Sequence, residues 1–322
     1  IYETTLTNGM KVYGIQSEEL PLVNFSIRIK GGQLLDDPEL PGVANLMTDI
    51  MQEGTANKTP EELENAIESI GASIYAYATD DNITIAGTTL SKHFDATMDL
   101  VSEILLEPRW DEKEFELLKQ STISSIQRSK ANPNSIASNE FAKLLYGDNN
   151  ILAYSNSGTE ASVNRITLMD LQNYYSTNLT PKLTNIHVVG SISEANVIKA
   201  LETVNTNWEA KAVSIPSFET PEAPDRSQVY FYDVPKAKQS VLRIGYPALA
   251  ANDDDYYPAT VMNYILGGGG FASQLTQELR EGKGYTYGIR SGFSGGTDVG
   301  PFTISSGVRT NVTYESAQLV KD

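Results

Sequence analysis

A chain of 322 residues, 40% hydrophobic and 20% charged, is longer than one ordinary core supports and predicts two globular domains rather than a disordered or collagen-like chain. Its formal net charge of −17 argues against binding nucleic acid, which needs clustered Lys and Arg to displace counterions, and favours cationic peptides or a basic partner surface. The lack of cysteine excludes disulfides, thiolate zinc sites and Cys nucleophiles, and no apolar run approaches the roughly 18 to 20 residues of a membrane helix.

In chain order, residues 4–15 read as a hairpin in which Asn8-Gly9 supplies the two positive-φ positions of a tight turn. The alternation over 23–29 predicts a strand, and Asp36-Asp37-Pro38 leads into a helix over 42–51. Thr59-Pro60-Glu61-Glu62 is a helix N-cap with proline at the first helical position, opening a helix that Gly71 stops. Strands over 74–79 and 83–88 flank the polar turn Asp80-Asp81-Asn82. Amphipathic helices follow over 93–105, 111–130, 135–145 and 167–177, then a strand over 185–189 and a helix over 193–206.

Residues 211–227, with Pro216, Glu219, Pro221, Glu222 and Pro224, read as a linker between a first domain over 1–210 and a second over 228–322. After it the order repeats. Ser240-Val241-Leu242-Arg243-Ile244 echoes Ser26-Ile27-Arg28-Ile29, each followed by an acidic turn and a short helix ending in glycine. Gly284-Tyr285-Thr286-Tyr287 echoes Gly71-Ala72-Ser73-Ile74-Tyr75. The period of roughly 215 residues is an internal duplication, far too long for a solenoid. The second copy ends soon after its strands and is expected to be incomplete, and the opening at Ile1 without methionine leaves room for a preceding segment.

Three stretches in this order resemble the M16 zinc peptidases, the insulinase and mitochondrial-processing-peptidase-like inverzincins. They are Leu6-Thr7-Asn8-Gly9-Met10-Lys11-Val12, the Gly-x-Ala frame and closing Gly-Thr of 41–55, and Leu279-Arg280-Glu281-Gly282-Lys283-Gly284-Tyr285-Thr286-Tyr287. The resemblance implies an α+β fold of duplicated M16/LuxS-like metallohydrolase domains, each a mainly antiparallel sheet with helices on one face. The family's active helix carries His-x-x-Glu-His, two imidazoles one turn apart with a Glu that activates the zinc-bound water. Those positions are Asn45, Thr48 and Asp49 here. The family's further Glu ligand falls near Ser124-Ser125 when Asn132-Pro133 is taken as the turn that follows it. An amide, a threonine hydroxyl and one carboxylate provide neither the base nor the roughly three ligands that a catalytic zinc needs. Asp49 and Glu53, four apart on one face, leave open a hard cation held with Asn45, against the plainer reading of a solvated acidic face.

Arg280 and Tyr287 match, by the same resemblance, a pair that reaches the zinc site of an active half, where a guanidinium and a phenol hydrogen-bond the scissile carbonyl and its developing oxyanion. Local physics alone reads them as a helix C-cap arginine beside a half-exposed strand tyrosine. The loop Gly267-Gly268-Gly269-Gly270-Phe271 lacks a Gly-Lys-Ser/Thr ending and reads as a glycine loop beside a peptide cleft or as a plain connection. His93 is expected in an exposed first helical turn, and His187 as a strand histidine satisfied by its neighbours. The function expected is that of a non-catalytic half, inactive alone, pairing as a heterodimer or with an upstream domain that carries an active zinc site. It would close the peptide chamber and supply Arg280 and Tyr287. No cofactor is expected in this chain, zinc belonging to the active partner half, and peptides are the expected ligands. The alternative is a structural or peptide-holding scaffold of the same fold with no role in catalysis.

Overall fold

The structure, a computed structural model, describes residues 1–218 and 225–322. Glu219, Pro221, Glu222 and Pro224 of the expected linker lie outside the described residues. The chain divides into two compact units, Ile1–Ile126 with Tyr154–Ser217, and Gln127–Ala153 with Phe218–Asp322. The fold class is α+β.

The first unit is built on a six-stranded sheet of order β1-β2-β6-β3-β5-β4. Its strands are β1 (Tyr2–Thr5), β2 (Lys11–Gln16), β3 (Leu22–Lys30), β4 (Ser73–Ala78), β5 (Asn82–Leu90) and β6 (Thr184–Gly190). Only β2 and β6 run parallel. The period of two in β3 buries Val23, Phe25, Ile27 and Ile29 and exposes Asn24, Arg28 and Lys30. That apolar face joins one core with α1 (Val43–Ile50), α3 (Phe94–Leu106) and α7 (Leu168–Asn178), where Met47, Phe94, Val101 and Leu171 are fully enclosed. Each such side chain contributes about 1.5–3 kcal/mol by leaving water. The second helix, α2 (Pro60–Ser69), starts at a complete capping box between Thr59 and Glu62, as its sequence predicts.

Three local expectations change. In the β1–β2 connection only Gly9 takes a positive φ, at 99°. Asn8 instead uses its side chain, accepting the Met10 N–H and donating to Val204 O. The expected helix over 193–206 is two helices, α8 (Glu194–Ala200) and α9 (Glu202–Asn207), broken at Leu201 so that both Val197 and Val204 reach the core. A short helix α6 (Glu160–Arg165), capped by Thr159 and Ser162, was not anticipated. His187 lies in β6 as expected, its ring stacked on Tyr13 at 5.5 Å; Nδ1 finds no hydrogen-bond partner, and burial and the charge of Arg28 lower its pKa against a hydrogen bond to the Ser26 backbone.

The second unit has a three-stranded antiparallel sheet of order β7-β9-β8, formed by β7 (Gln239–Leu249), β8 (Thr286–Phe293) and β9 (Gly300–Arg309). This repeats the β3-β5-β4 order of the first unit, in keeping with the duplication read from sequence. One face packs Ile289, Phe302 and Ile304 onto Leu275 and Leu279. On the other lies α5 (Pro133–Tyr146), whose Phe141 sits where a side chain at Gly245 would be. Contacts of α5 with β7 draw Gln127–Ala153 into this unit, although the sequence boundary at 210 assigns the segment to the first domain.

Candidate functional site

The helix α1 starts without an ordinary cap. Gly42 is left-handed at φ 109°, and the Asp36 carboxylate reaches forward to accept the N–H groups of Gly42 and Ala44, both at 2.9 Å. Burial pushes the Asp36 carboxyl up to about 7 against the pull of these hydrogen bonds. Further along, Asn45 Nδ2 donates to Asp49 Oδ2 at 3.0 Å across one turn. Thr48 is fully buried and donates to Asn45 O at 2.8 Å. Burial, with the charge of Glu53 added, raises the Asp49 carboxyl to about 6. Beyond the helix, the Gln52 side-chain amide donates to Ala76 O and accepts the Ala76 N–H, tying the end of α1 to β4.

The three positions expected to have lost a zinc site therefore hold an amide nitrogen aimed at a carboxylate, a hydroxyl spent on the backbone and a carboxyl poised near neutrality. They do not fit zinc, which takes several deprotonated or neutral N, S or O ligands converging on one point. Among the described residues no group of three His, Cys, Asp or Glu side chains is arranged to hold a metal ion. Ser124 and Ser125 are exposed on α4 (Glu112–Ser129) and offer no carboxylate.

In the second unit, Arg280 lies in a wide-turn helical segment, Gln277–Gly282, with the following chain tied back by Lys283 N donating to Glu278 O at 3.0 Å. Such π-type turns are uncommon and concentrate at functional positions. The guanidinium lies over the Phe271 ring, 4.3 Å from its centroid, with Glu281 at 3.5 Å. The glycine run supports this placement. A side chain at Gly267 would collide with Ser291, Gly270 is left-handed at φ 64°, and Phe271 follows directly as an exposed platform. Sequence reasoning named the loop and missed Phe271, because nothing local announces that an exposed aromatic will meet an arginine nine positions on.

Tyr287 is 87% exposed at the start of β8. Its direction comes from a bulge. Thr286 pairs with Val308 and Ile289 with Ser306, so Tyr287 and Gly288 together face Gly307. The buried Thr286 hydroxyl holds the bulge, accepting Gly288 N–H at 3.0 Å and lying 2.8 Å from the carbonyl oxygens of Gly288 and Gly307. Ser306 Oγ donates to it at 2.9 Å. The arrangement leaves the phenol exposed to solvent. No hydrogen bond or ring contact joins Arg280 to Tyr287 among the described residues.

The profile described as insulinase (peptidase family M16) matches residues 11–153, and that described as the peptidase M16 inactive domain matches 165–322. A Bacillus subtilis protein named uncharacterized zinc protease YmxG is 24% identical over 322 residues, covering 99% of this chain and 76% of its own length. A Helicobacter pylori protein named non-peptidase homolog YmxG is 25% identical over 293 residues, covering 89% of this chain and 66% of its own. The crystal structure of a peptidase M16 inactive domain from Pseudomonas fluorescens superposes with a TM-score of 0.91 at 27% identity, covering 100% of this chain and 77% of that one.

Proposed function

The chain belongs to peptidase family M16, and we propose that it is a non-catalytic half that pairs with an active zinc peptidase half, closes the peptide chamber and supplies Arg280 and Tyr287 to the bound substrate. The observation that carries this reading is a contrast. The α1 positions are committed to one another, Asn45 to Asp49 and Thr48 to the backbone, while Tyr287 is exposed and the Arg280 guanidinium, beside Phe271 and Glu281, has no long-range ion pair among the described residues. The names of the Pseudomonas and Helicobacter relatives are consistent with a chain inactive by itself. A guanidinium and a phenol can each donate to a peptide carbonyl, and both donate more strongly as that oxygen becomes anionic.

The test is kinetic. Arg280→Ala and Tyr287→Phe should each lower kcat of the reconstituted pair by roughly ten- to a thousand-fold, the scale for losing one oxyanion donor, with assembly intact by sizing. If the pair acts as a unit, the double variant loses less than the product of the single effects. Turnover within about twofold of wild type in the double variant would instead identify a scaffold.

A further inference from the structure

The second unit contains a cavity of about 290 Å³ between the first turn of α5 and the outer face of its sheet, lined by Asn134, Arg243, Gly288, Arg290, Ser305 and Gly307 among others. Its charge follows from strand register. Arg243 on β7 pairs with Ser305 on β9, and Ser305 pairs with Arg290 on β8. Directly opposed residues of antiparallel strands share a face, so two guanidinium groups rise on either side of one serine hydroxyl. The next row is Val241, Gly307 and the Tyr287/Gly288 bulge.

Among the described residues no carboxylate pairs with this positive charge, so neither arginine forms an ion pair there. Arg243 is set against the face of Phe141 at 5.9 Å, and burial lowers its pKa. In a chain with 41 acidic and 24 basic residues, two cations in one row without a carboxylate are conspicuous, since an anion between them would relieve their repulsion. The space is not a packing requirement either. A Cβ at Gly288 would meet nothing within 4 Å, and one at Gly307 only Gln239 Oε1 at 3.7 Å.

We propose that the Arg243–Ser305–Arg290 row is a carboxylate subsite that takes an acidic side chain or the C-terminal carboxylate of a peptide held at Tyr287. The planar fork of each guanidinium matches a carboxylate, and Ser305 and Asn134 add neutral donors. Gly288 belongs both to the cavity wall and to the bulge that presents Tyr287, so a peptide lying along the phenol passes the cavity mouth. The identity of the ligand as a peptide rests on the function proposed above; the carboxylate preference rests on the register and the cavity.

The experiment is isothermal titration of the full chain with three capped pentapeptides: alanine with a central glutamate and a C-terminal amide, its glutamine analogue, and penta-alanine with a free carboxylate. At least one carboxylate peptide should bind about tenfold or more tightly than the glutamine peptide, and which one does so identifies the group recognised. Arg243→Gln and Arg290→Gln should each remove about tenfold or more of that preference. Gly307→Leu, which keeps both charges and fills the space, should do the same, with the fold of each variant checked by circular dichroism. Equal binding of charged and neutral peptides, no binding of any, or an unchanged preference in the arginine or Gly307→Leu variants would overturn the subsite. The two readings fail separately. Loss of the carboxylate preference leaves the Arg280 and Tyr287 kinetics as they are, and full turnover in the Arg280→Ala/Tyr287→Phe variant leaves direct carboxylate binding intact.

Discussion

Replacing Asp49 by asparagine should stabilise the protein at neutral pH and do little at pH 4. Burial, with the charge of Glu53 one turn away, raises the Asp49 carboxyl from its ordinary 3.8 to about 6 in the folded chain. A raised carboxyl pKa means that the folded state holds the proton more tightly than the unfolded state. The associated stability is fully present below the unfolded pKa and is lost as pH rises through the folded one. Two pKa units correspond to about 3 kcal/mol, and partial solvent access reduces the expected effect to about 1–2 kcal/mol. An asparagine keeps an acceptor for Asn45 Nδ2, 3.0 Å from the present oxygen, without the ionisation cost. Urea unfolding of wild type and Asp49→Asn at half-unit steps from pH 4 to 8 reads the difference directly, and the similar contribution of Asp36 cancels between the two proteins. The gap should open in favour of the variant between about pH 4 and 6.5 and then level off. A gap that stays flat, or opens in favour of wild type as pH rises, would refute the burial argument for Asp49.

Two further outcomes follow from the site. After dialysis, pure chain should retain far less than one zinc per molecule and cleave no peptide, since Asn45, Thr48 and Asp49 converge no ligand set; stoichiometric zinc by elemental analysis with chelator-sensitive proteolysis would reverse the functional reading. Thr286→Val removes the hydroxyl that holds the β8 bulge, and stranding those partners should cost about 1–3 kcal/mol in denaturant unfolding. It should also lower turnover with an active partner in the same direction as Tyr287→Phe, whereas unchanged turnover would mean that the bulge does not position the phenol.

Much of this protein was readable from local pattern. The capping box at Thr59 and Glu62, the alternation of β3 and the repeat of strand order in the second unit are all short-range signals, and each appears as the corresponding element. That Asn45 stands where the family carries an imidazole is what the resemblance implies, and the chemistry of an amide at that place needs no tertiary information. Asp36 was different. The sequence marks it as part of a turn, and only the folded chain carries its carboxylate to the start of α1, where two backbone N–H groups lack partners.

Local pattern along the chain carried the fold class and the duplicated order of strands, because hydrophobic period and capping residues are properties of neighbouring positions, while the choice of Asn45, Thr48, Asp49, Arg280 and Tyr287 came from the family resemblance. The tertiary structure decided where α5 packs, that Phe271 lies beneath Arg280, that an extra residue in β8 turns Tyr287 outward, and that Arg243 and Arg290 flank one serine. These are relations set by packing and strand pairing, some between residues far apart in the chain, as with α5 and β7 or Arg243 and Arg290. Strand register and long-range packing create them, and no local preference of the individual residues encodes them.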